Sequence, residues 1–353
     1  KGTAVSDNYG IRVADPRANI IGNTIYTFGS GDSNYGILSS ASVSARIVNN
    51  TIYTSGTTGN NRGIDVSSAD SNYIANNTIN TTGQASPGIY LSAAGSVNIL
   101  NNRINSTADS IYMTSSILSD FTSANISRDN TRFGRNITVY GGGALTLPCP
   151  NNTIIDNPAD GALKFFGCNN ITIQNWYRPN RDTDGLLFVN SDNNKIINNT
   201  INGGLEGLDM VNTAGQCDNN LIANNTFSSF GYLDSYGAYA IHIYGNYNTI
   251  TNNNLSTSGI ASGNNGIDIQ DDFNNITNNI ITTAGTSGNI GIYLESRAIN
   301  NLIQNNTITT SGTSSNTGIY FLDECTGNVI RNNTITSTGI TTGNFGIRLV
   351  STS

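Results

Sequence analysis

Apolar residues in this chain seldom form long runs. They fall at alternate positions over about four residues, as in "GIYL" at Gly88–Leu91 and "GIDV" at Gly63–Val66. Alternation of this kind predicts short strands buried on one face. The strands recur in register. A doubled asparagine before an apolar residue stands at Asn49–Ile52, Asn76–Ile79, Asn198–Ile201, Asn305–Ile308 and Asn332–Ile335, with near-copies at Asn101–Ile104, Asn224–Phe227 and Asn252–Leu255. Followed from Ile25 through Ile52, Ile79 and Ile104, its last residue advances by 27, 27 and 25. From Ile201 through Phe227, Leu255, Ile281, Ile308 and Ile335 it advances by 26, 28, 26, 27 and 27. A glycine followed by Ile or Leu keeps step with it.

A fixed period of about 20–50 residues marks a solenoid or a propeller. Each period here holds three short strands, which predicts one turn of a parallel β-helix; a propeller blade needs four strands and about 40 residues. The expected fold is all-β, a single-stranded right-handed parallel β-helix of about 13 coils of roughly 26 residues. It is read as one continuous body over 1–353, regular over 10–104 and 185–349, irregular and looped over 105–184.

Stacked coils place equivalent residues in columns about 4.8 Å apart. An asparagine amide both donates and accepts, so identical amides can bond along a column, where aspartates would repel. Asn also tolerates the left-handed backbone of a tight bend. The pair is therefore read as a turn plus an internal ladder, and the following Ile as core. With these repeats the chain resembles the pectin-lyase-like right-handed parallel β-helix proteins, a superfamily whose members include lyases, hydrolases, epimerases, phage tailspikes, adhesins and surface proteins.

Composition narrows the partners. The chain has 353 residues, 58 of them Asn, with 11% charged residues and a net charge of −7. Nucleic acid is not an expected partner, because phosphate binding needs clustered Lys and Arg. No run of about 18 apolar residues predicts a membrane span, and no cofactor motif appears. Low charge suits an extracellular or cell-surface location. Neither end carries an atypical capping coil, so we expect a piece of something longer or subunits that stack end to end as a homo-oligomer. Cys149, Cys168, Cys217 and Cys325 each stand five residues before an Ile. They share one column, in which Cys149 and Cys168 are close enough for a disulfide.

Candidate chemistry sits on the outward columns. The residue after the Gly-Ile pair reads Arg12, Leu38, Asp65, Tyr90, then Leu187, Asp209, His242, Asp268, Tyr293, Tyr320 and Arg348. The residue before the glycine adds Asp184 and Glu206. Carboxylates around the single histidine are the raw material of glycan cleavage or epimerisation, since neighbouring carboxylates leave an acid beside a base. "DTDG" at Asp182–Gly185 is similar to the "NTDG" motif of polygalacturonase-type hydrolases. That resemblance implies a catalytic acid at Asp184, with Glu206 where the paired acids belong. The Gly-His-Gly of that family is replaced by "AYA" at Ala238–Ala240, and its Arg-x-Lys is absent.

Further candidates are a calcium set of Asp268, Asp271 and Asp272 and several glycosylation sequons. Sequons arise wherever "NNT" recurs, with a first Asn open to being interior. The off-ladder sites Asn80, Asn125 and Asn136 are stronger, and Asn254 and Asn275 complete the set. The leading functional expectation is an extracellular structural protein: a surface, sheath, adhesin or filament subunit. The alternative is a polysaccharide-active enzyme, hydrolase or lyase, using Asp184, Glu206, Asp209, His242 and Asp268.

Overall fold

The computed structural model describes residues 8–350 except 15–16, 32, 41–43, 58, 84–85, 108–109, 115–117, 133, 144–145, 159–161, 179–184, 205, 212–214, 231–236, 260–261 and 296. The chain divides into two compact units, one of residues 1–149 with 159–167, the other of 150–158 with 168–353. Each is a parallel β-solenoid with three sheets. In the first unit, strands Tyr35–Ser40, Arg46–Val48 and Thr51–Ser55 make one coil, and Ile64–Ser67, Tyr73–Ala75 and Thr78–Thr82 the next. In the second, strands Asn265–Ile269, Asn275–Thr277 and Ile280–Ala284 are followed by Ile290–Leu294, Leu302–Gln304 and Thr307–Gly312. The all-β, right-handed β-helix expected from the repeat is the fold of the chain. Its coils number about 11 rather than about 13. Residues 105–184 are where the repeat is interrupted. Leu118–Ser123 is a helix, and Thr131–Arg132 pairs antiparallel with Arg135–Tyr140, so backbone expected to continue the coils leaves the parallel ladder.

The doubled asparagine does two separate jobs. Its first residue makes the bend: Asn49, Asn76, Asn101, Asn198, Asn224, Asn252, Asn278, Asn305 and Asn332 all have φ between 50° and 58°. These residues lie at the surface and not in the interior, so the sequons beginning with them are accessible. The second residue is buried. Asn199, Asn225, Asn253, Asn279 and Asn306 each donate from Nδ2 to Oδ1 of the next coil's asparagine at 3.0 Å. The first unit carries the same ladder through Asn50, Asn77, Asn102 and Asn130. Each amide is saturated: Asn279 Nδ2 also donates to the Ile250 carbonyl at 2.9 Å, and its own backbone N–H donates to Asn306 Oδ1 at 2.9 Å. Repeated hydrogen bonding of this kind lets polar side chains line an interior without a desolvation penalty.

Two more asparagine columns escaped the sequence reading. Asn220, Asn248, Asn274 and Asn301 accept from the backbone N–H of the preceding coil's asparagine at 2.7–2.8 Å. Asn264, Asn289 and Asn316 form a third file, joined by amide–amide bonds of 2.9 Å that continue to Asn344. Between these bends the core is aliphatic, with Ile250, Ile276, Ile281, Ile292 and Ile303 fully buried. Among the described residues no helix is long and apolar enough to cross a membrane.

Candidate functional site

The Gly-Ile pair shapes the outer surface. In strand Asn265–Ile269, Gly266 and Ile267 are both buried, so strict alternation breaks. A Cβ on Gly266 would stand 2.3 Å from Ile281 Cγ2 and 2.6 Å from the Gly291 carbonyl oxygen. Glycine lets the backbone press this closely against the next coil, although on the neighbouring strand buried Ala240 takes the same place. With two consecutive inward residues, the residues on either side of the pair both face out. Glu206 and Asp209 therefore share one face although they are three apart. Tyr239 and His242 do the same on the next strand, as do Asn265 and Asp268 on the one after.

Register turns these pairs into columns. Glu206 aligns with Tyr239 and Asn265, and Asp209 with His242, Asp268 and Tyr293. His242 Nδ1 lies 3.1 Å from Asp209 Oδ1. One oxygen of Glu206, one of Asp209 and a ring nitrogen of His242 lie within 4.8 Å of one another, all half-buried. Tyr239 stacks on the His242 ring at 5.2 Å, and Tyr244 meets that ring edge-on at 4.8 Å. The imidazole is thus held on three sides.

Asp268 is the buried member of the column, 1% exposed. Its Oδ2 accepts from Asn265 Nδ2 at 3.2 Å, while among the described residues Oδ1 meets no hydrogen-bond partner. Burial raises its carboxyl to about 7; His242 and the Asn265 bond oppose the rise, and Glu295 adds to it. Burial also raises Glu295, against the pull of His242. Burial and the surrounding carboxylates push the phenols of Tyr239 and Tyr293 upward and that of Tyr244 to about 12, so all three stay protonated at neutral pH. The arrangement offers neighbouring carboxylates, one imidazole with a fixed partner, and several neutral hydroxyl donors. Glu206, Asp209 and His242 are also the set that would present three ligand atoms to a divalent ion.

Of the sequence-derived candidates, Glu206, Asp209, His242 and Asp268 come together on adjacent strands, whereas Asp184 lies outside the described residues. The calcium set is not assembled. Asp272 Oδ1 accepts from the Ile299 N–H at 2.8 Å, and Asp271 Oδ1 from Gln216 at 3.3 Å, both past the end of the strand that carries Asp268. Among the sequons, Asn136 and Asn254 are exposed. Asn80, Asn125 and Asn275 are half-buried, with Asn80 accepting from Asn105 at 2.9 Å and Asn125 donating to Asn98 at 3.0 Å. Cys149 and Cys168 are each disulfide-bonded, and Cys217 and Cys325 are free thiols. The sequence reading did not place Tyr239, Tyr244 and Glu295 beside the histidine. Their spacing, three before and two after the central column residue, was the signal available.

Residues 3–147 match the family described as the right handed beta helix region. The match spans 145 of the 353 residues and agrees with the right-handed parallel β-helix of the fold. No curated protein matches the sequence. Among solved structures the chain is similar to the Streptococcus pneumoniae surface protein and adhesin PfbA, at 14% identity and a TM-score of 0.35, covering 98% of this chain and 91% of that one. It is also similar to the tailspike protein of E. coli bacteriophage HK620, solved with a hexasaccharide, at 11% identity and TM-score 0.31, covering 91% of this chain and 54% of that one. A third likeness is to the Azotobacter vinelandii mannuronan C-5 epimerase AlgE6 A-module, at 11% identity and TM-score 0.27, covering 96% and 91%.

Proposed function

We propose that this is an extracellular, cell-surface β-helix protein that binds a polysaccharide across strands Glu206–Val211, Tyr239–Ile243 and Asn265–Ile269 and hydrolyses it. The observation that carries the reading is the approach of Glu206, Asp209 and His242 to within 4.8 Å. Two carboxyl groups about 5–5.5 Å apart are the arrangement of glycosidases that retain anomeric configuration. Asp209, held by His242, serves as nucleophile at the anomeric carbon. Glu206 gives its proton to the departing glycosidic oxygen. Glu206 then takes a proton from water as that water attacks the glycosyl–Asp209 ester, which restores both carboxyls. With several carboxyls and one histidine the face is acidic, which favours a neutral glycan over a polyuronate. The disulfide-bonded cysteines support an oxidising, extracellular setting.

The test is release of reducing ends from soluble neutral polysaccharides (a mixed-linkage β-glucan, a xylan and a galactomannan). Proton NMR would follow the anomeric configuration of the first product. Retention in the native protein and loss of turnover in Glu206→Gln are expected. Inversion, or equal turnover by the variant, would overturn the assignment.

A further inference from the structure

The face that carries the proposed chemistry has an internal counterpart in the first unit. There Asp65 follows Gly63 and Ile64, at the same place in its strand as Asp209 and Asp268 in theirs. Arg62, three residues before it, forms an ion pair with its carboxylate. The guanidinium reaches it because the inward Gly-Ile pair puts positions three apart on one face. The second unit keeps this spacing and changes the chemistry. Glu206 takes the place of Arg62 three residues before Asp209, and Asn265 takes it three before Asp268. A carboxylate and an amide thus stand where the first unit has a cation.

Three further observations specify what fits there. One oxygen of Glu206, one of Asp209 and a ring nitrogen of His242 lie within 4.8 Å of one another on half-buried side chains. His242 Nδ1 and Asp209 Oδ1 are 3.1 Å apart. Two ligands on a tetrahedral zinc ion, with bonds of about 2.0 Å, stand roughly 3.3 Å apart. An ion can therefore replace the hydrogen between these two atoms with little movement of either strand. Glu206 closes the remaining distance by rotation of its side chain. The third observation is Asp268, 1% exposed and next to His242 in the same file. Among the described residues its Oδ1 meets no hydrogen-bond partner, and neither does Oδ1 of Asn265, 4% exposed. Buried acceptors left unfilled beside a ligand set are what a metal-bound water, as donor, would satisfy.

We propose that Glu206, Asp209 and His242 bind a divalent transition ion of the zinc type, with Asp268 and Asn265 accepting hydrogen bonds from its water, and that the bound ion switches hydrolysis off. Imidazole and carboxylate together suit zinc. Calcium takes about six to eight oxygens and magnesium a near-octahedral oxygen shell, and one nitrogen with two carboxylates meets neither demand. The ion claims a lone pair from each carboxylate. Glu206 then has no proton to give and Asp209 no lone pair for an anomeric carbon, so occupation and hydrolysis exclude one another. This inhibitory half rests on the hydrolytic reading; the binding half rests on the ligand geometry.

Isothermal titration calorimetry of the full chain with Zn²⁺, Ca²⁺ and Mg²⁺ tests the binding. One Zn²⁺ per chain is expected, with Ca²⁺ and Mg²⁺ weaker by at least about tenfold. His242→Ala, Glu206→Gln and Asp268→Asn should each weaken Zn²⁺ by at least about tenfold. Asp272→Asn, whose carboxyl accepts from the Ile299 N–H instead, should match the native protein. Urea midpoints without metal check that each variant is folded. In the reducing-end assay Zn²⁺ should suppress release at least about tenfold, and EDTA should restore it. Calorimetry reads binding without turnover, so a chain that binds Zn²⁺ and hydrolyses none of the glycans refutes the hydrolytic reading and not the site. No binding of Zn²⁺, tighter binding of Ca²⁺, or native affinity in any of the three weakened variants would overturn the site. Full turnover with Zn²⁺ bound would overturn the switch.

Discussion

His242 Nδ1 is 3.1 Å from Asp209 Oδ1, and the two residues are register partners on adjacent parallel strands. The contact is therefore fixed by sheet pairing rather than by a loop. It orients the ring in one sense and leaves Nε2 on the far side of the imidazole. In the proposed reaction His242 does not touch substrate; it positions Asp209.

If so, His242→Ala should lower kcat by roughly 10²–10³ and leave KM within about threefold. His242→Asn, which restores a donor to Asp209, should recover part of the loss. A large rise in KM with kcat intact would instead place His242 among substrate contacts.

Asp268 makes stability depend on pH. Its carboxyl is raised to about 7 in the folded chain, chiefly by burial, against about 3.9 unfolded. A raised carboxyl stabilises the fold fully below the unfolded value. That contribution is lost as pH climbs through the window from about 4 to about 7. Urea midpoints for the native protein should fall across this window by more than those of Asp268→Asn. Parallel curves would assign the slope to other groups.

The asparagine ladder predicts a larger penalty than its polarity suggests. Asn279→Asp replaces an Nδ2 that donates to Ile250 and Asn306 with an oxygen that cannot donate. It also puts a carboxyl at a buried position. With ~1–3 kcal/mol for each buried group left unpaired, a loss of roughly 3 kcal/mol or more is expected in denaturant titrations. Asn278→Asp, one residue away on the exposed bend, should cost under about 1 kcal/mol. Similar losses at the two positions would mean that the ladder is not what holds the coil.

Gly266→Ala should both destabilise the fold and displace Asp268, because the added methyl meets Ile281 and the Gly291 carbonyl. A cost of about 1–3 kcal/mol follows from overpacking. The position has a natural counterpart. On the neighbouring strand the residue before the inward Ile241 is Ala240, buried in the same role. Calorimetry of Gly266→Ala beside Ala240→Gly, with the glycine expected to be milder, checks whether the close approach differs between coils.

Much of the architecture was legible because a solenoid converts sequence period into spatial columns. Ile276 lies under Ile303 and Tyr293 beside Tyr320 because the chain repeats, and register follows from the repeat. The same logic brought Asp209, His242 and Asp268 together in advance. It failed where the repeat failed. Among the described residues the helix at Leu118–Ser123 and the antiparallel pairing of Thr131–Arg132 have no counterpart, so no column predicted them. It also missed the asparagines at the two other bends, where doubled ones such as Asn219–Asn220, Asn300–Asn301 and Asn264–Asn265 alternate with single ones such as Asn248 and Asn316, so no constant motif marks the column. The calcium candidates show another limit: closeness in sequence at a strand end does not fix what the carboxylates meet, and past that end Asp271 accepts from Gln216 and Asp272 from the Ile299 N–H.

By itself, then, the sequence determined which residues stack on which, because alternation and period leave one way to bury every Ile. It also determined that the first asparagine of the repeated NNxI pair bends the chain, because Asn tolerates the left-handed backbone. The tertiary structure decided what the stacking makes. It set the 3.1 Å contact of His242 with Asp209 and the burial that raises Asp268. Those depend on side-chain directions and on exclusion of water, which a repeat does not encode.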